Sequence, residues 1–311
     1  MLMMALLIAV GYALSKSGVL PKGASVVLSR LETYIFVPAL NIINQLDNCN
    51  VKTFTENLKL ILYGTVCILI AVALAYPLSK AFVRKTNGDF ALEYKRNIYK
   101  YAMTFGNYGF MGNFIILGIF GGEMLFKYSM FTFVVAVICN TWGLYILIPK
   151  GEGSVWQNLK KGLLTPPIIS LLFGIICGLL DLKRYFPDFA ISALDSASKC
   201  MGPVAMILAG VVIGSYNFKE LLSDKRVYIA SFLRLILIPA AFMLALRLFG
   251  ADEELMMLAL ICFATPLGLN TIVYPAAYGG ETKTGASMAM ISHAFSVVTI
   301  PLMYYLFIVL I

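Results

Sequence analysis

Ala264-Thr265-Pro266-Leu267-Gly268-Leu269-Asn270-Thr271-Ile272-Val273-Tyr274-Pro275 interrupts an apolar run that opens at Leu255, and Gly279-Gly280-Glu281 follows it. Proline removes a backbone donor and glycine loosens a helix, so a membrane helix over this stretch is predicted to break inside the bilayer. A second interruption mirrors the first. Phe105-Gly106-Asn107-Tyr108-Gly109-Phe110-Met111-Gly112-Asn113 lies in another apolar run and leads to Gly121-Gly122-Glu123, roughly half a chain earlier.

The 311 residues are 60% hydrophobic and 13% charged, against about 25% charged in a soluble domain. Long apolar runs joined by short polar connections predict an all-α integral membrane protein; a barrel would show shorter alternating segments. Ten apolar segments are legible, at about 1–15, 25–46, 57–83, 96–120, 124–148, 163–181, 189–214, 226–249, 254–279 and 284–311. Of the 24 Lys and Arg residues, sixteen lie around odd-numbered connections and six around even-numbered ones, with Lys199 and Arg234 inside spans. The formal charge of +8 therefore reads as positive-inside topology and not as a nucleic-acid surface, with both termini extracytoplasmic.

The halves overlay. Pro21 and Pro38 find Pro187 and Pro203, and the fourth and ninth segments match through their interruptions and Gly-Gly-Glu ends. Five spans per half is an odd number, so the second copy, residues 151–311, enters the membrane upside down relative to the first, residues 1–150. The expected fold is ten transmembrane helices in two inverted five-helix repeats, with broken helices 4 and 9 crossing near the midplane. Each break exposes one helix N-terminus, which favours anions, and one C-terminus, which favours cations or hydrogen-bond donors. That is a solute-binding arrangement. Asn107 and Asn113 in the first break, and Thr265, Asn270 and Thr271 in the second, supply side chains that donate and accept, and Tyr108 and Tyr274 can wall a small organic ligand.

Asn107-Tyr108-Gly109-Phe110-Met111-Gly112, with Ala264-Thr265-Pro266 leading to Asn270 and Tyr278-Gly279, resembles the paired crossover segments of the auxin efflux carrier family, including its bacterial transporters. The resemblance covers essentially the whole chain. It implies a cell (inner) membrane carrier with Asn107 and Gly112 at one crossover and Pro266 and Asn270 at the other. It also implies a scaffold of helices 1, 2, 6 and 7, often a homodimer interface, and a transport domain of helices 3–5 and 8–10. Many members carry a proline shortly after the glycine that corresponds to Gly112. Here Asn113-Phe114 follows, so either the first break is gentler or Asn113 itself reaches the ligand.

Arg234 lies inside the eighth segment, where a charge either binds a substrate carboxylate or snorkels and pairs with a neighbouring carboxylate. Asp195 and Lys199 are spaced for an intrahelical ion pair, with cation coupling through Asp195 as the alternative. His293, the single histidine, is either a proton relay or a helix-to-helix hydrogen-bonding residue. Glu32 could exchange protons if buried, but it sits near a cytoplasmic end, where solvent is expected to reach it. Asn41, Asn44 and Asn140 suit interhelical links.

No phosphate-binding glycine loop, serine nucleophile motif or clustered metal ligands give an enzyme a starting residue, and the six cysteines lack metal spacing. The expected function is transport, secondary active or facilitative, of a small organic anion (a mono- or dicarboxylate or an auxin-like weak acid) by alternating access. No cofactor or metal is expected, though Na+ or H+ coupling stays open. The expected partners are the anion, membrane lipid and a second copy. Two alternatives are a sodium-coupled bile-acid-type symporter and a membrane receptor for a lipid or sterol.

Overall fold

The computed structural model describes residues 2–21, 23–148, 160, 162–277 and 280–310, without the side chains of residues 218, 273, 274, 276 and 277. The described residues are helical, and their only β-type pairing is an isolated bridge. In chain order the helices are α1 (Leu2–Lys16), α2 (Ala24–Asn48), α3 (Val51–Phe82), α4 (Phe90–Thr104), α5 (Tyr108–Leu147) and α6 (Pro166–Leu179). They continue as α7 (Asp188–Gly214), α8 (Phe218–Leu221), α9 (Lys225–Leu248), α10 (Glu253–Ala264), α11 (Asn270–Ala277) and α12 (Lys283–Val309). Six of them, α2, α3, α5, α7, α9 and α12, are each long and apolar enough to cross a membrane. Leu62, Leu69, Phe173, Ile176 and Leu248 stand exposed on the outside, an apolar surface that water would not tolerate and lipid does. The chain is a multi-pass membrane protein.

Side chains at the starts of the helices receive their free amides. Asp89 accepts from Ala91 and Leu92, Asp224 from Arg226 and Asp252 from Leu255, while Asn50 and Thr53 cap each other's backbone amides at α3. That reciprocal cap carries α3 through Lys52, Glu56 and Lys59, so it begins before the apolar segment expected from 57. Within α2 and α9, short π-helical turns, Glu32–Phe36 and Leu233–Leu237, precede Pro38 and Pro239. There the amides of Val37 and Ile238 bond five residues back, to Glu32 and Leu233, in place of the usual four.

The helices interleave the two halves of the chain. α1 packs along α7, α2 lies against both α6 and α7, α3 against α4 and α5, and α9 against α10 and α12. Small residues bring the backbones together, as is usual where no hydrophobic effect drives helices against each other in lipid. Gly11 faces the Ile207 carbonyl, Gly210 faces the Ile8 carbonyl and the Tyr12 amide, and Gly64 of α3 faces the Phe131 carbonyl of α5. Gly210→Val is expected to lower stability by about 1–3 kcal/mol, because a Cβ there meets backbone atoms that cannot swing aside. A thermal melt in detergent reads this. Gly118→Ala, where an added Cβ meets nothing within 4 Å, serves as the unchanged control.

Glu32 corrects the expectation of a solvated carboxylate. Its relative exposure is 0%, and neither carboxylate oxygen has a hydrogen bond among the described residues. The cause is packing: the π-helical turn that carries Glu32 lies against α7 and α6, which shield it from water.

Candidate functional site

Both interruptions are real breaks in the helices. α4 ends at Thr104, and Phe105 takes up extended backbone (φ −112°, ψ 132°) before Tyr108–Gly112 winds as a π turn into α5. α10 ends at Ala264 because Pro266 forces Thr265 out of the helical region (φ −67°, ψ 148°), and α11 starts at Asn270. The two extended pieces meet. Gly106 and Leu267 form an antiparallel bridge, and the Asn107 amide donates to the Pro266 carbonyl at 2.7 Å. The Leu267 amide donates to Ser292 Oγ of α12 at 3.0 Å, so the crossing is anchored to a third element. Three of the backbone groups freed by the breaks, the Asn107 and Leu267 amides and the Pro266 carbonyl, thus find partners in the protein, as burial requires.

A cavity of about 140 Å³ opens beside the crossing. One wall is the crossing and α5: Gly106, Asn107, Tyr108, Asn113, Gly268 and Asn270, with Ser129 and Asn140. The other wall is α2 and α6, through Thr33, Val37, Asn41, Pro167 and Leu171. No Asp, Glu, Lys or Arg among the described residues lines it, so its polarity comes from amides, hydroxyls and helix ends. The helix ends are the N-terminal starts of α5 and α11, which carry partial positive charge.

Four of the expected site residues, Asn107, Tyr108, Asn113 and Asn270, line this cavity together. Asn113 sits at the end of the π turn, downstream of the break, so the missing proline leaves the break in place at Phe105–Asn107. Asn270 Nδ2 donates to Tyr101 Oη at 2.9 Å, and Tyr101 Oη lies 3.2 Å from Cys139 Sγ, which fixes the amide at the cavity edge. Pro266 and Thr271 work behind the wall. The Pro266 carbonyl holds Asn107, and Thr271 Oγ1 donates to the Gly268 carbonyl at 3.1 Å, closing the turn into α11. The side chain of Tyr274, and all of Tyr278 and Gly279, lie outside the described residues.

His293 belongs to the crossing as well. Its Nδ1 is 2.7 Å from the Ala289 carbonyl, which can only accept, so Nδ1 carries a proton. In the neutral ring Nε2 is then left to accept from Asn107 Nδ2, at 3.4 Å. This is a helix-to-helix bond between α12 and the first break. Asp195 is not drawn in: its carboxylate pairs with Lys199 at 2.6 Å, one turn along α7, and it does not line the cavity. Asn41 links helices, donating to the Pro167 carbonyl at 2.9 Å and to Ser170 Oγ at 3.2 Å, whereas Asn140 bonds within its own helix, to the Ala136 carbonyl. Gln45 was not singled out by sequence, yet its Nε2 donates to Ser129 Oγ at 2.8 Å and ties α2 to α5 at the cavity's edge.

Arg234 lies directly behind the crossing. It is 2% exposed, and a Cβ added to Gly106 would collide with its Nη2 and with Thr265 Oγ1. Neither snorkelling nor a carboxylate partner accounts for it: the guanidinium is buried, and its three nitrogens make no hydrogen bond to a described protein group.

A helical membrane protein in which two broken segments cross beside a cavity lined by amides and hydroxyls as well as apolar groups has the build of a carrier. A family model described as "Membrane transport protein" matches residues 1–304, and the chain belongs to that family, the auxin efflux carriers. It is 27% identical to an uncharacterized transporter of Methanocaldococcus jannaschii, over 97% of this chain and 96% of that one. It is 25% identical to an uncharacterized transporter of Methanothermobacter thermautotrophicus, over 75% of this chain and 72% of the relative. The Escherichia coli uncharacterized transporter YfdV is 23% identical over 63% of each chain.

Proposed function

We propose that the protein carries a small organic anion, a carboxylate, across the cell (inner) membrane by alternating access, bound between the crossed breaks at Asn107, Asn113 and Asn270. The observation that carries this reading is the charge arrangement of the cavity. Two helix N-termini point toward a chamber that no charged side chain lines among the described residues, and the guanidinium of Arg234 lies one glycine behind it. An anion entering the chamber meets positive potential and amide donors without a competing carboxylate. Tyr108 and Leu171 give its apolar body a surface.

The chain is read as ten spans in two inverted repeats, with α4 and the first part of α5 forming one broken span and α10 with α11 the other. Support comes from the packing, which maps onto itself when every span is advanced by five: α1 on α7 becomes α6 on α2, and α3 on α4 becomes α9 on α10. Support also comes from the polar ties between connections. Lys95–Asp224, Lys283–Glu220 and Lys16 to the Tyr216 carbonyl join odd-numbered connections, the cytoplasmic side in this reading. Lys127–Glu254 and Lys183–Asp47 join even-numbered, extracytoplasmic ones. No such tie joins the two sets among the described residues.

In the same reading α1, α2, α6 and α7 form a scaffold, and the remaining spans form a transport domain that moves against it, with the cavity at their boundary. A second copy is the proposed neighbour of α7, which turns Ser192, Ser196 and the Asp195–Lys199 pair outward, polar groups that lipid solvates poorly.

A thermal-shift screen of small mono- and dicarboxylates on purified protein, followed by counterflow of the best ligand in proteoliposomes, tests the function. Labelled ligand is expected to accumulate against unlabelled ligand inside. Binding without exchange would make the protein a receptor instead.

A further inference from the structure

Among the described residues no carboxylate pairs with Arg234. It sits in the π turn Leu233–Leu237 of α9, fully enclosed, and its guanidinium stays charged at any physiological pH. Among the described residues the titratable side chains that act on it are Cys262, Tyr128 and Tyr101, a thiol and two phenols that are neutral near pH 7. What does lie against it is the end of two helices. α4 stops at Thr104 and α10 at Ala264, and just past both stops Nη2 of Arg234, Thr265 Oγ1 and the Thr265 carbonyl converge on the space beside Gly106. Helix C-termini carry partial negative charge, so this is where the crossing favours a cation.

In carriers assembled from broken helices, the unwound carbonyls and C-terminal half-helix ends are the groups that coordinate a coupling Na+. We propose that the Arg234 guanidinium is a built-in counter-cation standing where such an ion would bind, so that the organic anion is bound and moved without Na+. The proposal rests on the carrier reading above and adds a consequence to it. A bound monoanion cancels the charge of Arg234, so the loaded crossing is neutral, whereas the empty one carries a net positive charge through the membrane. A dianion would leave the loaded crossing negative, which favours monocarboxylates as substrates.

The test starts from the full chain in detergent with no organic anion present. The melting temperature of the wild-type protein is expected to be the same in NaCl, KCl and choline chloride at equal ionic strength. A saturable rise of several degrees specific to Na+ would overturn the proposal. Arg234→Ala is expected to melt lower and to recover with millimolar ethylguanidinium, which refills the position and leaves the wild type unmoved. A folded Arg234→Ala protein indifferent to ethylguanidinium would also overturn it. Should that variant not fold, Arg234→Lys, which keeps the charge, is expected to melt without Na+ dependence, and a Na+ requirement in it would count against the proposal. In proteoliposomes, counterflow of labelled benzoate is expected to change by less than twofold when choline replaces Na+, and a strict Na+ requirement would refute the built-in cation. Absence of exchange in both media would instead sink the carrier reading, and the cation titrations, which need no substrate, would still decide the role of Arg234.

Discussion

Gly106→Ala is expected to abolish transport while leaving a folded protein. The added methyl group would fall on Arg234 Nη2, Thr265 Oγ1 and the Thr265 carbonyl, three atoms of a packed crossing. Overpacking of this kind costs about 1–3 kcal/mol in stability. The functional loss is expected to be larger than that, because the way to make room is to push the guanidinium away from the helix ends or to part the Gly106–Leu267 bridge. Either movement displaces Asn107, whose amide is held by Pro266 one residue on. Gly118→Ala is the control. It lies on α5 beyond the break and away from the cavity lining, an added Cβ meets nothing within 4 Å, and uptake should persist. Equal activity in both variants, measured by proteoliposome uptake beside a thermal melt, would show that the crossing does not need close approach at Gly106.

The second large effect is expected from Asn107→Ala and Asn270→Ala. Each removes an amide from the cavity wall, and a hydrogen bond to a charged group contributes about 1.5–3 kcal/mol, which corresponds to roughly a tenfold to hundredfold loss of affinity for an anion. Asn107 also gives up its contact with His293, and Asn270 its bond to Tyr101, so both sites lose preorganisation together with a donor. Uptake measured well below the wild-type KM should fall by about tenfold to hundredfold. Unchanged transport by both variants would move the binding site away from the crossing.

The sequence discloses the crossing because its chemistry is local. Pro266 dictates an extended Thr265 whatever surrounds it, and a run of Gly106, Gly109 and Gly112 around two asparagines is a poor membrane helix in any context. Gly121 reads as a turn for the same reason, and it has the positive φ of 83° that glycine alone adopts easily. What stays hidden depends on distant partners. The approach of Arg234 to Gly106 joins residues of opposite halves, and no pattern around Arg234 indicates which neighbour it faces. The position of Glu32 in the chain suggests access to water, and only the packing of α7 and α6 over its turn denies it. His293 reads as relay or link, and which helix it links to is visible only once Asn107 is seen 3.4 Å away. The early start of α3 was legible in principle, since Asn50 and Thr53 stand at capping-box spacing, but Lys52, Glu56 and Lys59 mask it when apolar runs alone are counted.

The interleaved packing also constrains how the molecule is made. Lys16 at the end of α1 donates to the Tyr216 carbonyl, 200 residues downstream, and α1 packs mainly along α7. A ribosome that has delivered α1 to α5 has therefore delivered a half in which the face of α1 at Gly11 is still uncovered. That half must wait beside the insertion machinery or under a chaperone until the later segments arrive.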